Sequence, residues 1–242
     1  MLAEILKNSL KKYTAHPVSF IYTEIIRVFS LLVTAFAATS IVLLALLAAS
    51  TFEASKPYVV AITGTVALVA LIFFAYMAAG YRGAMIHEFV NAEGGSAHMR
   101  TFYQNAMKKA STYFAIFILN FIIVAIAAVP VALIIYFMKL DLSSPIAIAL
   151  ILLLAGVKLL LQYIFAFAFI SSAVKDAPAF VSLKSGFNTL IKNPLQAVVL
   201  YAIYFITMML MLVPGVNLVS LLALHPLVYL MMINMYRSTR SY

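Results

Sequence analysis

An all-α polytopic membrane protein, with six transmembrane helices and three amphipathic interfacial helices, is the fold class this sequence predicts. Three observations carry it. The chain of 242 residues is 66% hydrophobic and only 10% charged, more apolar surface than a soluble domain can cover with a charged exterior. Uncharged runs recur at lengths near the ~20 residues that cross a bilayer core. The basic residues border those runs, and almost all of them fall on one side once the runs are threaded through a membrane.

The first span covers Val28 to Ala49 and has a polar lead-in containing Glu24 and Arg27. The loop "STFEASK" leads to the second span, Tyr58 to Gly80, which exits through Tyr81 and Arg82. The polar segment "HEFVNAEGGSAHMR" follows, with Gly94-Gly95 as a turn signal. The third span runs from Tyr113 to Met138, with Pro130 as a kink. "KLDLSS" connects it to the fourth, Pro145 to Val174, which "KDAPA" ends. The fifth spans Pro194 to Val213, "PGVN" turns the chain, and the sixth spans Leu218 to Tyr236 with Pro226 inside it.

Each odd-numbered span is preceded by a segment with helical amphipathicity. Leu2, Ile5, Leu6, Leu10 and Tyr13 share one face, and Lys7, Asn8, Lys11 and Lys12 the other. Phe102, Tyr103, Met107 and Ala110 oppose Arg100, Gln104, Asn105, Lys108 and Lys109. Phe180, Leu183, Phe187, Leu190 and Ile191 oppose Lys184, Ser185, Asn188 and Lys192. Such helices are expected to lie flat at the interface, apolar face down. Pro17 and Pro194 then start the upright helices, proline being suited to a first helical turn; Phe114 holds the matching place in the second copy. The chain reads as a single membrane domain built from three like units, 1–98, 99–178 and 179–242, all oriented the same way, as parallel repeats about an axis along the membrane normal would be.

The formal charge is +9. Lys7, Lys11, Lys12, Arg27, Arg82, Arg100, Lys108, Lys109, Lys175, Lys184, Lys192, Arg237 and Arg240 fall on one side, Lys56 and Lys139 on the other, and Lys158 within a span. That bias predicts a multi-pass protein of the cell (cytoplasmic) membrane with both termini cytoplasmic. It makes anionic membrane lipids the expected partner rather than nucleic acid, with Lys7, Lys11, Lys12, Arg100, Lys108, Lys109, Lys184 and Lys192 in reach of head groups. A homo-oligomer or a protein partner on the cytoplasmic face is a further expectation. The start does not read as a cleavable signal peptide: its first segment is amphipathic and contains Glu4.

Lys158, in "LAGVKLLLQYIF", is the sharpest anomaly. It falls about 20 Å along its helix, near mid-bilayer, at the usual rise per residue. A central lysine costs roughly 2.5–3.5 kcal/mol on insertion scales. Gln162 lies one turn on, and His225, Asn120 and the carbonyls freed by Pro226 or Pro130 are candidate partners. One reading is a polar path or ligand contact made by Lys158, Gln162, His225 and Asn120; the other is a snorkelling or structurally paired lysine, a packed histidine and an asparagine bridging helices. Glu24, Arg27, Arg82 and Glu88 lie at similar depth and form either a salt-bridged cytoplasmic collar or a gate. Ser30, Thr34 and Ala38 make a stripe suited to close helix contact. "HEFVN" at 87–91 lacks the second histidine of a zinc-protease grip. Cysteine is absent, which excludes disulfides and thiolate metal sites. The methionines of the last hairpin suit adaptable packing. No cofactor is implied, and seven acidic residues, mostly in loops, supply no catalytic constellation, so the chain is not expected to be an enzyme.

"AGYRGAMIHEFVNAEGG" at 79–95 and "FAFAFISSAVKDAPAFVSLKSGFNTLIKNP" at 165–194 resemble a broad group of six-helix membrane proteins of uncharacterised function. That group includes archaeal stand-alone proteins and the membrane domain fused to some bacterial glycerophosphodiester phosphodiesterases. The resemblance covers most of the chain in layout and implies a six-helix membrane domain; the phosphodiesterase barrel has no counterpart here, and its activity does not carry over. Two functions follow as expectations: transport or permeation of a small or anionic solute, and, as the alternative, a lipid-binding or membrane-organising subunit that docks a partner through its basic interfacial helices.

Overall fold

A computed structural model of the chain describes residues 2–51, 57–91 and 99–239. It is an all-α polytopic membrane protein: no strand occurs among the described residues, and five helices, or six with one bent pair, are long and apolar enough to cross a bilayer. The order is α1 (Leu2–Ala15), α2 (Pro17–Thr51), α3 (Pro57–Asn91), α4 (Met99–Lys108), α5 (Ala110–Phe137), α6 (Pro145–Lys175), α7 (Ala179–Lys192), α8 (Pro194–Leu210), α9 (Asn217–Val219), a π-helical turn Ser220–Leu224, and α10 (His225–Ser238). A short helix followed by two long ones thus recurs three times, the last long one being α9, the π turn and α10 in series. The Gly94-Gly95 turn and the residues Lys56 and Arg240 lie outside the described residues.

Two spans are longer than hydropathy predicts. α2 starts at Pro17 rather than Val28, and α3 continues past Gly80 to Asn91. Each has 35 residues, about 52 Å at the α-helical rise, well over the ~30 Å hydrocarbon core. The extra turns carry charge, so a hydropathy window stops short of them. They are helical because they pack against other elements: Phe20 and Ile26 of α2, and Met85, Ile86 and Phe89 of α3, belong to the main core cluster.

Proline sets the corners. Pro194 opens α8, and α7 and α8 meet at 106°. Ser144 caps α6, its hydroxyl accepting from the Ala147 amide, with Pro145 in the first turn. Asp176 ends α6 in the left-handed region at φ 55°. Pro226 has no N–H, so the carbonyl of Leu222 loses its helical partner. The preceding turn widens to a π-helix, with the His225 amide donating to Ser220 O, and the Tyr13 hydroxyl of α1 reaches Leu222 O at 3.4 Å.

The core is not centred in the spans. It gathers at the end of the molecule where α1, α4 and α7 lie, from the second half of α3 (Ala79–Val90), the second half of α6 (Tyr163–Ala173) and α10 (Val228–Tyr236). Toward the opposite end the spans expose apolar side chains to the surroundings, among them Phe36, Leu44, Leu71, Phe121, Ile126 and Leu152.

Each short helix packs beside a long helix of the group before it, and the chain closes on itself: α4 lies on α3, α7 on α6, and α1 on α10. Small residues permit the approach. A Cβ at Gly80 would sit 3.1 Å from Ala106 O, and one at Gly186 would sit 2.8 Å from the backbone of Phe167 and Ala168. In α1 the contact residue is Ser9, fully buried, whose Oγ accepts from Asn234 Nδ2 at 2.8 Å. Ser9, Ala106 and Gly186 hold the same place in their helices, counted back from Pro17, Phe114 and Pro194. Within the protein, each short helix buries only part of its apolar face. Ile5 and Ser9 are buried in α1, Phe102 and Ala106 in α4, and Ala179, Ser182, Gly186 and Thr189 in α7, while large side chains such as Leu10, Phe180, Phe187 and Ile191 are exposed.

Candidate functional site

The polar chemistry of the described residues concentrates at the core-bearing end, inside the helices and on their outer surface. Inside, Glu24 stands about two turns into α2 and is fully buried. Arg27, three residues on, donates Nε and Nη2 to Glu24 Oε2, each at 2.8 Å. From α10, His225 places Nδ1 2.6 Å from Glu24 Oε1, with the carboxylate accepting the imidazole N–H. Both carboxylate oxygens are thus satisfied, as a buried charge requires. The π turn ahead of Pro226 sets the rotation that aims His225 at α2.

Arg82 of α3 extends this cluster. Its Nη2 donates to the Tyr229 hydroxyl at 2.8 Å, Tyr204 is a second hydroxyl partner, and its guanidinium lies 5.2 Å from the ring centroid of Phe169. Tyr229 in turn packs edge-on against His225, ring centroids 4.8 Å apart. Two further hydroxyl bridges tie α2 to its neighbours: Ser30 Oγ to the Tyr103 hydroxyl at 2.7 Å, and Thr34 Oγ1 to the Tyr81 hydroxyl at 3.2 Å. Close contact along the Ser30–Thr34–Ala38 stripe is as the sequence suggested, with tyrosines as its polar partners.

The four collar residues are not one ring. Glu24 and Arg27 pair. Arg82 turns to tyrosines, and Glu88 Oε1 accepts from Asn105 Nδ2 of α4 at 3.1 Å. The residues of the polar path are not brought together either. Lys158 is exposed on α6, and Gln162 is half-buried one turn away. His225 is committed to Glu24. Asn120 is buried in α5 with its Oδ1 unpartnered, as is the hydroxyl of Tyr113 two turns before it. Tyr113 stacks on Phe169 and fills the space that Gly83 leaves, where a Cβ would overlap its ring.

On the outer surface, Lys7, Lys11, Arg100, Lys108, Lys184 and Lys192 are exposed. Lys109 is instead tied to Asp176, Nζ to Oδ1 at 2.9 Å. That hydrogen bond, and then the ammonium charge, hold the Asp176 carboxyl below its ordinary value. His87, which the sequence offered as half of a metal grip, contacts Asn91 Nδ2 and Asn105 Nδ2. Among the described residues no three His, Asp or Glu side chains converge as a metal site. Met231, Met232 and Met235 are buried in the core.

Two clefts open between these surface helices and the spans. One, of about 330 Å³, lies between α7 and α10 and is lined by Lys175, Lys184, Ser185, Asn188, Lys192 and Tyr236 among others. The other, of about 420 Å³, lies between α1 and α10 and is lined by Asn8, Lys11, Lys12, Ala15, His16 and Asn234. A third hollow, between α2 and α3 on the apolar stretch, is lined by Ala35, Ala38, Ala70 and Leu71. Comparison of the chain with protein-family models, curated proteins and solved structures gave no match.

Sequence reasoning missed the His225–Glu24 pair and the small-residue contacts. The pair joins positions 201 apart, which no local pattern links. The small stripe had a signal: Ser182 and Gly186, four apart in α7, make a small-xxx-small pattern.

Proposed function

We propose that this membrane protein binds anionic lipid at the cytoplasmic leaflet of the cell membrane and organises that surface through its three basic short helices. One observation carries the reading. α1, α4 and α7 are fixed against α10, α3 and α6 at one end of the molecule, with lysines exposed beside large apolar side chains. A rigid array of ammonium groups and lipid-facing hydrophobes meets a negatively charged interface at about 1 kcal/mol per lysine. The same bias, by the positive-inside rule, puts both termini in the cytoplasm. The layout shared with six-helix membrane domains of uncharacterised function belongs to this proposal, as does the absence of an enzymatic step.

The test is reconstitution of the full chain in nanodiscs of zwitterionic lipid with increasing phosphatidylglycerol. Thermal stability is expected to rise with anionic lipid and to lose that gain at high salt. Equal stability in both lipids would contradict the reading. Because the chain has no cysteine, Asn188→Cys and Ser143→Cys report sidedness directly: an impermeant thiol reagent should reach them from opposite compartments.

Permeation of a small or anionic solute is a second reading, supported by the buried Glu24–His225–Arg27 cluster and by Arg82 beside it. Solute flux into liposomes that is lost in Glu24→Gln would favour it.

A further inference from the structure

The cleft between α7 and α10 has features that a generic basic surface lacks. Lys175, in the last turn of α6, does not extend into solvent. Its Nζ donates to Ser185 Oγ at 2.8 Å and lies 5.7 Å from the ring centroid of Tyr236. Ser185 Oγ and the Tyr236 hydroxyl are 2.8 Å apart, and that hydroxyl donates onward to Ser171 Oγ at 2.9 Å. One ammonium N–H is thus used to fix the group in place, and two remain for a ligand. Lys184 and Lys192 stand on the same wall of the cleft. No carboxylate pairs with any of the three lysines among the described residues.

The other two short helices show what that means. Ser185, Asn188, Thr189 and Lys192 line the α7 cleft, and Asn8, Lys11, Lys12 and Ala15, at the same spacing, line the α1 cleft. At the second short helix the place of Lys12 and Thr189 is held by Lys109, which is paired with Asp176. The α7 cleft has no such acid and is lined by three lysines, hydroxyls and an amide. Beside it, Phe180, Phe187 and Ile191 are exposed along α7, and Val181, also exposed, lines the cleft itself.

We infer that the α7–α10 cleft is a binding site for a phosphate group, supplied by an anionic phospholipid whose acyl chains lie against the apolar stripe of α7. Three ammonium groups lining one cleft with the Asn188 amide suit phosphate oxygens, and the adjacent apolar side chains favour a lipid over a free anion. The inference rests on the lipid-binding reading above and narrows it to one site.

The experiment uses the full chain in zwitterionic nanodiscs titrated with phosphatidylglycerol, with bound lipid read by native mass spectrometry. Lys184→Gln/Lys192→Gln removes two exposed charges from the cleft and leaves the Lys175–Ser185–Tyr236 network intact, so it is expected to fold. Its affinity should fall by about fivefold per lysine, the equivalent of about 1 kcal/mol each. Lys7→Gln/Lys108→Gln, which removes two charges of the general basic surface outside both clefts, should weaken binding clearly less than the cleft double. Lys175→Met should lose retention and Lys175→Arg should keep it. Equal losses in the cleft and control doubles would overturn the site while leaving the broader lipid reading standing. A wild-type protein with no preference for phosphatidylglycerol would overturn both. A separate arm titrates inorganic phosphate in detergent without phospholipid. Saturable binding there with the same lysine dependence would overturn the lipid as source and assign the cleft to a soluble phosphate.

Discussion

Gly186 and Gly156 are both mid-helix glycines, under opposite constraints. A Cβ at Gly186 would meet the backbone of residues 167 and 168 at 2.8 Å, whereas one at Gly156 would meet nothing within 4 Å. The first lies in the end of the molecule that holds the core, the short helices and the buried ions. The second lies on the apolar stretch that faces the bilayer. The contrast runs through the whole chain: in α6, residues 165–173 are buried, while Ile151, Leu152 and Leu153 are exposed. In water the driving force would close both ends alike. In a bilayer, lipid tails solvate leucine as well as another helix does, so close packing is maintained where small residues and hydrogen bonds reward it.

The largest expected effect is at the buried ion cluster. Glu24→Ala leaves Arg27 and His225 without their shared carboxylate and should cost about 3–5 kcal/mol, read as thermal unfolding in detergent. A loss under about 1 kcal/mol would place Glu24 in contact with water. Next, Gly186→Val forces α7 off α6 and should cost about 1–3 kcal/mol, detected in the same assay. Gly156→Ala should do the reverse and stabilise by about 0.8–1 kcal/mol through helix propensity alone; destabilisation there would mean that another surface covers this stretch of α6. The smallest effect is at the rim. Asp176→Asn breaks the contact with Lys109, but the carboxylate is 73% exposed, so the change should be a few tenths of a kcal/mol at about neutral pH. Because the Asp176 carboxyl is held below its ordinary value, its contribution is complete above the usual carboxylate range and lost as pH falls through the depressed value. A pH titration of stability should show that small acid-side loss in wild type and not in Asp176→Asn.

The same contrast explains what could be read in advance. Six spans and three amphipathic segments were legible because length, hydropathy and period are local properties. The Glu24–Arg27 pair was legible because it spans one helical turn. The extra turns of α2 and α3 were not, since their charged side chains end a hydropathy run, and only packing against α1, α4 and α10 keeps them helical. Lys158 could be placed near mid-bilayer, with a polar path and a snorkelling or paired lysine left as alternatives. Depth follows from counting residues, but direction depends on which face of α6 its neighbours cover. The partner of His225 required knowing that Pro226 widens the preceding turn and that α10 lies against α2.

The central claim is that the basic end is one closed unit, with α1 seated on α10. Oxidative cross-linking of Ser9→Cys with Asn234→Cys in native membranes tests it most directly, because the chain has no other cysteine and the two native side chains are hydrogen-bonded at 2.8 Å. Efficient cross-linking within a single chain is the predicted result. Failure to cross-link in membranes, with both thiols open to a soluble reagent, would contradict the account.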